Sequence, residues 1–232
     1  MCVVSYISHN KVFYLTSNRD IPKNTKVAIP PKRYNIKGHD IIFPKDPDAG
    51  GSWIAATPQK LGCVLNAKNK REINNNNSRG LLLIDLLQQE DSDKYFIKAN
   101  LENIYPFSII ELDTSKKTLK NFMWNGDNRK IEKLNINKSY LWLSSSIYKN
   151  NTINKKSELF NIMLNTEISK ARIKKFHLKN QFCNIKQDNI NTVSITQVSG
   201  SFNIEEMNYH DLLNNKQESF LIKNNSTAIN ES

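Results

Sequence analysis

Residues 2–7 are β-branched and aromatic, residues 8–11 are polar, and residues 12–16 return to strand-like character. That alternation predicts an opening hairpin with Asn10 in its turn. The second strand then carries residues 17–20 back beside the chain start. Residues 21–48 hold five of the seven prolines and few apolar runs, which predicts a mostly irregular connection. A second hairpin is predicted over residues 53–57 and 61–65, with Pro58, Gln59 and Lys60 at the turn. Ser78-Arg79-Gly80 precedes the apolar run LLLIDLLQQ, which reads as a buried helix capped by Ser78. A short helix is predicted near residues 91–101, with Ser92 as its cap.

Residues 107–112, 118–124 and 140–143 have strand character, separated by polar turns that include Asn125-Gly126-Asp127. Between residues 157 and 169, Leu159, Phe160, Met163, Leu164 and Ile168 recur at helical spacing and predict an amphipathic helix. Residues 192–198 and 201–205 predict a final hairpin around Gly200, and residues 219–222 an edge strand. Hairpins interspersed with packed helices define an α+β layered architecture rather than a doubly wound parallel sheet. No break in composition divides the 232 residues, so one domain is expected over residues 1–223, with a polar tail at 224–232.

The net charge of +11 changes this picture little. Lysines are spread along the chain together with many asparagines, including the run 74–77, so a compositional bias is the reading and no nucleic-acid partner is expected. One cluster is denser: Lys170, Arg172, Lys174, Lys175 and Lys179 surround Phe176 and His177. It reads as a solvated face first and an anion-attracting patch second. Cys2, Cys63 and Cys183 make no disulfide framework and suit a reducing compartment. The start MCVVSYI has neither a basic leader nor a long apolar core, so a cytoplasmic protein without an integral membrane segment is expected. His9, His39, His177 and His210 are isolated and lack metal-ligand spacing, so neither a metal nor a cofactor is expected.

The chemistry concentrates at the start. Removal of Met1 would leave Cys2 carrying both a thiol and a free α-amine, whose pKa near ~8 makes it a built-in base. Arg19 would favour the thiolate and Asp20 would hold the ammonium. Two plainer readings stand beside this one: Cys2 as a packing residue, and Arg19 with Asp20 as a structural ion pair closing the first hairpin. Gly50-Gly51 reads as a close backbone approach before Trp53. Arg79 at the start of its helix reads as facing either the surface or a pocket, where an anion would meet the helix N-terminus.

MCVVSYI, LTSNRD, GGSW, GCVLNAKNKRE and SRGLL, in this order and spacing, resemble the NRDE family, also called the transport and Golgi organisation protein 2 family. The match is specific over residues 1–87. The family's Asn-Arg-Asp-Glu motif stands here as Asn18-Arg19-Asp20-Ile21, without its last acid. The resemblance implies an N-terminal-nucleophile hydrolase-like fold, a four-layer αββα sandwich of two antiparallel sheets between helices, similar to choloylglycine hydrolases and penicillin V acylases. It implies Cys2 as nucleophile, Arg19 as the thiol-activating cation, Asp20 as partner of the amine and Asn66 in an oxyanion hole. Ser145 stands where relatives often carry a second asparagine. Asn18, Trp53 and Arg79 take substrate-binding positions. Two functions follow: a cysteine hydrolase of linear amide or acyl bonds, or a non-catalytic carrier of haem, lipid or acyl-CoA on the same fold.

Overall fold

The computed structural model describes residues 3–22, 25–68, 77–144, 150–179 and 190–222, with backbone only at 150–152. The opening hairpin pairs β1 (Val3–His9) with β2 (Val12–Pro22), His9 facing Val12. Asn10 and Lys11 both have positive φ, the two-residue turn whose twist matches the flanking strands. Residues 21–48 depart from the predicted irregular connection: β3 (Ile29–Ile36) and β4 (His39–Lys45) form a second hairpin, turning at Lys37-Gly38. The prolines that hid it are tolerated because β3 is an edge strand, and its register shifts between Ile29 and Lys32, where Pro30 and Pro31 sit.

The third hairpin follows the prediction as β5 (Ile54–Ala56) and β6 (Lys60–Asn66). Helix α1 (Arg79–Leu87) begins where expected, the Ser78 side chain accepting from the Gly80 amide. Helix α2 (Ser92–Lys98) is capped by Asp91 rather than Ser92. The Ser92 hydroxyl is committed elsewhere: it donates to Glu111 Oε1 at 2.5 Å and accepts from Lys60 Nζ at 2.9 Å, pinning the α1–α2 corner to the sheet.

Strands β7 (Phe107–Asp113) and β8 (Thr118–Trp124) were legible; β9 (Arg129–Leu134) was not. It is the other edge of its sheet, and its RKIEKL sequence shows no buried face. β10 (Tyr140–Leu143) pairs with β1. Helix α3 (Asn150–Leu164) starts earlier and ends sooner than predicted, and the basic cluster forms a separate helix α4 (Lys170–Leu178) capped by Ser169. The chain closes with β11 (Ile190–Gly200), β12 (Ile204–Asp211) and β13 (Lys216–Leu221). The tail at 224–232, the asparagine run at 74–76 and Cys183 lie outside the described residues.

Two antiparallel sheets result, in the orders β10-β1-β2-β11-β12-β13 and β3-β4-β5-β6-β7-β8-β9. Period-2 alternation sends each strand's residues to two different cores. Along β6, Leu61, Cys63 and Leu65 enter the core between the sheets, while Val64 joins α1 and α2 on the outer face. Along β1, Val4 and Tyr6 point to the inter-sheet core, and Val3 and Ile7 meet Phe160, Ile173 and Phe176 of α3 and α4. Three apolar layers therefore separate four structural ones, the expected αββα sandwich. No described helix is long and apolar enough to cross a membrane.

Candidate functional site

Strand registers bring Arg19, Asp20 and Asn66 to one end of the sandwich. Val3, the first described residue, faces Leu143 on β10, and Val4 faces Ser17 on β2. The end of β1 that leads to Cys2 is thus flanked by the middle of β2 and the end of β10. The segment after Ser17 carries Asn18, Arg19 and Asp20. Just past Leu143, the Ser144 hydroxyl donates to the Asn66 carbonyl at 2.5 Å, tying the end of β6 in the second sheet to the same place. Cys2 and Ser145 themselves lie outside the described residues.

Arg19 points between the sheets. Its side chain is 1% exposed, with Nη2 on Asp46 Oδ2 at 2.7 Å and the guanidinium 4.4 Å above the Trp53 ring. Asp46 is fully engaged, because its Oδ1 accepts from the Asp48 and Ala49 amides at 3.0 Å each. Arg19 and Asp20 do not pair with each other, contrary to the plainer reading of the sequence. Consecutive strand residues face opposite sides, so Arg19 finds Asp46, and Asp20 Oδ1 accepts from the Thr192 hydroxyl of β11 at 2.5 Å. Arg19 Nε and Nη1, Trp53 Nε1 and Asn66 Oδ1 are buried and have no hydrogen-bond partner among the described residues.

Asn18 turns the other way, toward α4. His177 Nδ1 lies 2.6 Å from Asn18 Oδ1, Asn18 Nδ2 donates to the His177 carbonyl at 3.2 Å, and His177 Nε2 lies 2.8 Å from Ser5 Oγ. The Nδ1–H tautomer satisfies all three, donating to Asn18 and accepting from Ser5. This relay holds the residue before Arg19 rigidly, and Asn18 is not among the residues lining the cavity described below. Sequence reading missed His177 because it sits inside a basic run that looked like surface.

Burial, reinforced by nearby Lys156, pushes the His177 imidazole down to about 3 from 6.5. The unfolded chain therefore binds a proton below pH 6.5 that the native state refuses until near pH 3. Stability from this residue is complete above pH 6.5 and is lost as pH falls, at about 1.4 kcal/mol per pH unit. Urea midpoints should fall by the equivalent of roughly 2 kcal/mol between pH 6.5 and 5. In His177→Gln this component should vanish, and an identical pH slope in both proteins would contradict it.

Trp53 and Arg79 meet at a cavity of about 410 Å³ whose walls also include Asp46, Gly51, Ser52 and Gly80. Its floor depends on two glycines. A Cβ on Gly51 would lie 2.5 Å from the Gly80 carbonyl carbon, and one on Gly80 would lie 2.6 Å from the Ser52 amide. The expected close backbone approach is therefore a contact between the β5 entry and the start of α1. Gly50, with φ 70°, makes the preceding turn. Arg79 Nη1 reaches the Pro106 carbonyl at 3.4 Å, and its guanidinium lies 5.8 Å from the Tyr105 ring.

Cys63 provides a contrast for the nucleophile assignment. It is fully buried in the inter-sheet core, and burial pushes its thiol up to about 12, so it is inert at neutral pH.

The αββα sandwich is also the fold of a solved hydrolase and a solved acylase. A variant of conjugated bile acid hydrolase from Clostridium perfringens superposes with a TM-score of 0.58 at 11% identity, covering 96% of this chain and 94% of that one. Penicillin V acylase from Agrobacterium tumefaciens superposes at 0.59 and 9% identity, covering 96% and 86%. No curated protein sequence matches the chain. The profile of the Transport and Golgi organisation 2 family matches residues 1–228, and the chain belongs to that family.

Proposed function

We propose that the protein is an N-terminal cysteine hydrolase acting on a linear amide or related acyl bond. The observation that carries this reading is the convergence of Arg19, Asp20, Asn66 and Ser144 around the end of β1 that leads to Cys2. Once Met1 is removed, Cys2 Sγ attacks the carbonyl carbon and its proton passes to the α-amine. Arg19 supplies positive charge to the thiolate from a site almost closed to water, where such charge acts strongly. Asp20, which accepts from the Thr192 hydroxyl, steadies the resulting ammonium in this reading.

The tetrahedral oxyanion needs N–H or O–H donors aimed at it. The Asn66 carboxamide has one unpartnered end, and a half-turn of its terminal torsion presents Nδ2 there. Ser145 adds a hydroxyl in this reading. Collapse of the intermediate expels the amine, which takes the proton from the α-ammonium and leaves a thioester. Water, deprotonated by the same amine, then releases the carboxylic acid and restores the thiol.

The fold likeness to a hydrolase and an acylase supports this reading, and the inertness of Cys63 is consistent with it. The test is intact mass followed by labelling with an electrophilic amide analogue. Loss of Met1 with a single adduct on Cys2 is expected. Retained Met1, or an unlabelled protein that still binds acyl ligands, would replace the hydrolase with the carrier reading.

A further inference from the structure

The groove between α3 and α4 carries two chemistries on facing walls. Leu159, Ile162 and Met163 recur at helical spacing and turn one side of α3 toward it. On the other side Arg172, Lys175 and Lys179 follow one face of α4 to its C-cap, beside Phe176. The space between has a volume of about 470 Å³. Its three cations are exposed, and no described residue gives them an ion pair or a side-chain hydrogen bond. Lys170 and Lys174, the remaining lysines of the first turns of α4, are committed elsewhere: Lys170 pairs with Glu206, and Lys174 donates to Gln217 Oε1 at 2.7 Å. Glu158 and Glu167 are exposed acids of the same layer, and neither lines the groove.

A single exposed isoleucine is ordinary. Ile162, 56% exposed, is instead continuous with Leu159 and Met163 and lies across from the three cations. An occupant that satisfies both walls is anionic and apolar at once. A nucleic-acid backbone would use the cations and leave the apolar wall wet. A folded protein partner needs about 800 Å² of surface on each side, whereas the nine residues of α4 extend for only about 13 Å. An interface rich in anionic lipid offers negative headgroups and apolar chains side by side.

We propose that the outer face of α3 and α4 docks the protein onto an anionic lipid bilayer. Arg172, Lys175 and Lys179 meet the headgroups, and Ile162 enters the boundary between headgroups and acyl chains. The attachment is peripheral and does not rest on the hydrolase reading. The opposite helical layer shows why charge decides. It also exposes an isoleucine, Ile97 at 59%, but Asp91 and Asp93 stand among its lysines, and Asp93 holds Lys120 at 2.6 Å.

The test is co-sedimentation of the full chain with vesicles of phosphatidylcholine, with and without phosphatidylserine, at low and high salt. Binding only to the vesicles that contain phosphatidylserine, weakening as salt rises, is expected. Replacing Arg172, Lys175 and Lys179 together by Gln should weaken it by roughly 100-fold, and Lys175→Gln alone by about fivefold. Ile162→Asn leaves the charge unchanged and should still cost several-fold. A control with Lys94, Lys98 and Lys130 replaced by Gln removes the same charge from exposed positions elsewhere and should bind within about twofold of wild type. Every substituted side chain is exposed, and circular dichroism checks that each variant folds; should the triple variant not fold, Lys175→Gln decides. No binding to the anionic vesicles, an equal loss in the control, or unchanged affinity in Ile162→Asn would overturn the docking face.

Discussion

Cys2→Ala is expected to lower turnover of any linear amide accepted by the wild type by roughly a million-fold, the scale on which deleting a nucleophile that acts as a unit with its base is felt. The loss is this large because the one other cysteine among the described residues cannot substitute. Cys63 is sealed in the core with its thiol pushed up to about 12. Folding should be untouched, since the substitution removes one sulfur atom and leaves the pairing of β1 with β2 and β10 from Val3 onward in place. Melting temperature and circular dichroism check that point, and progress curves with a panel of N-acyl amides check the rate. A companion protein with an extra residue ahead of Cys2 keeps the thiol and loses the free amine at that position. It should be as inactive as Cys2→Ala, because the base is then an amide nitrogen. Turnover at the wild-type level in either protein would sink the mechanism.

Arg19→Met is expected to destabilise the fold by about 2–4 kcal/mol. The side chain is 1% exposed and fills space above the Trp53 indole, and methionine restores most of that volume but none of the charge. Asp46 then loses its partner at 2.7 Å. Its own exposure of 28% lets water replace part of that bond, which holds the cost below that of a fully buried pair. For a chain of this size the melting temperature should drop by roughly 5–10 °C. The double variant with Asp46→Asn should cost much less than the sum of the two single changes, because both remove one interaction. Additive losses, or a melting temperature within about 1 °C of wild type for Arg19→Met, would show that the pair contributes nothing.

Local pattern carried much of the fold. Alternation of apolar and polar residues revealed β1, β2, β5, β6, β7 and β8, and the Ser78 cap marked the start of α1. It failed where a strand lies at an edge. β3 carries two adjacent prolines and β9 has no buried face, and both positions relax the rules that make central strands recognisable. It failed again at α4, where five cations disguised a helix that buries Ile173, Phe176 and His177. Ser92 looked like a cap, but the nearby Lys60 and Glu111 claimed its hydroxyl.

For the site, the sequence by itself determined which residues are chemically competent: a cysteine at position 2, Arg19 and Asp20 on the returning strand, and Asn66 at the end of a hairpin. Those relations are short in sequence, so hairpin geometry and side-chain chemistry suffice to see them. Tertiary structure alone decided their partners. Asp46 lies 27 residues from Arg19, Ser144 lies 78 from Asn66, His177 lies 159 from Asn18, and Thr192 lies 172 from Asp20. No local pattern encodes such pairings, because each depends on how two sheets and two helical layers stack.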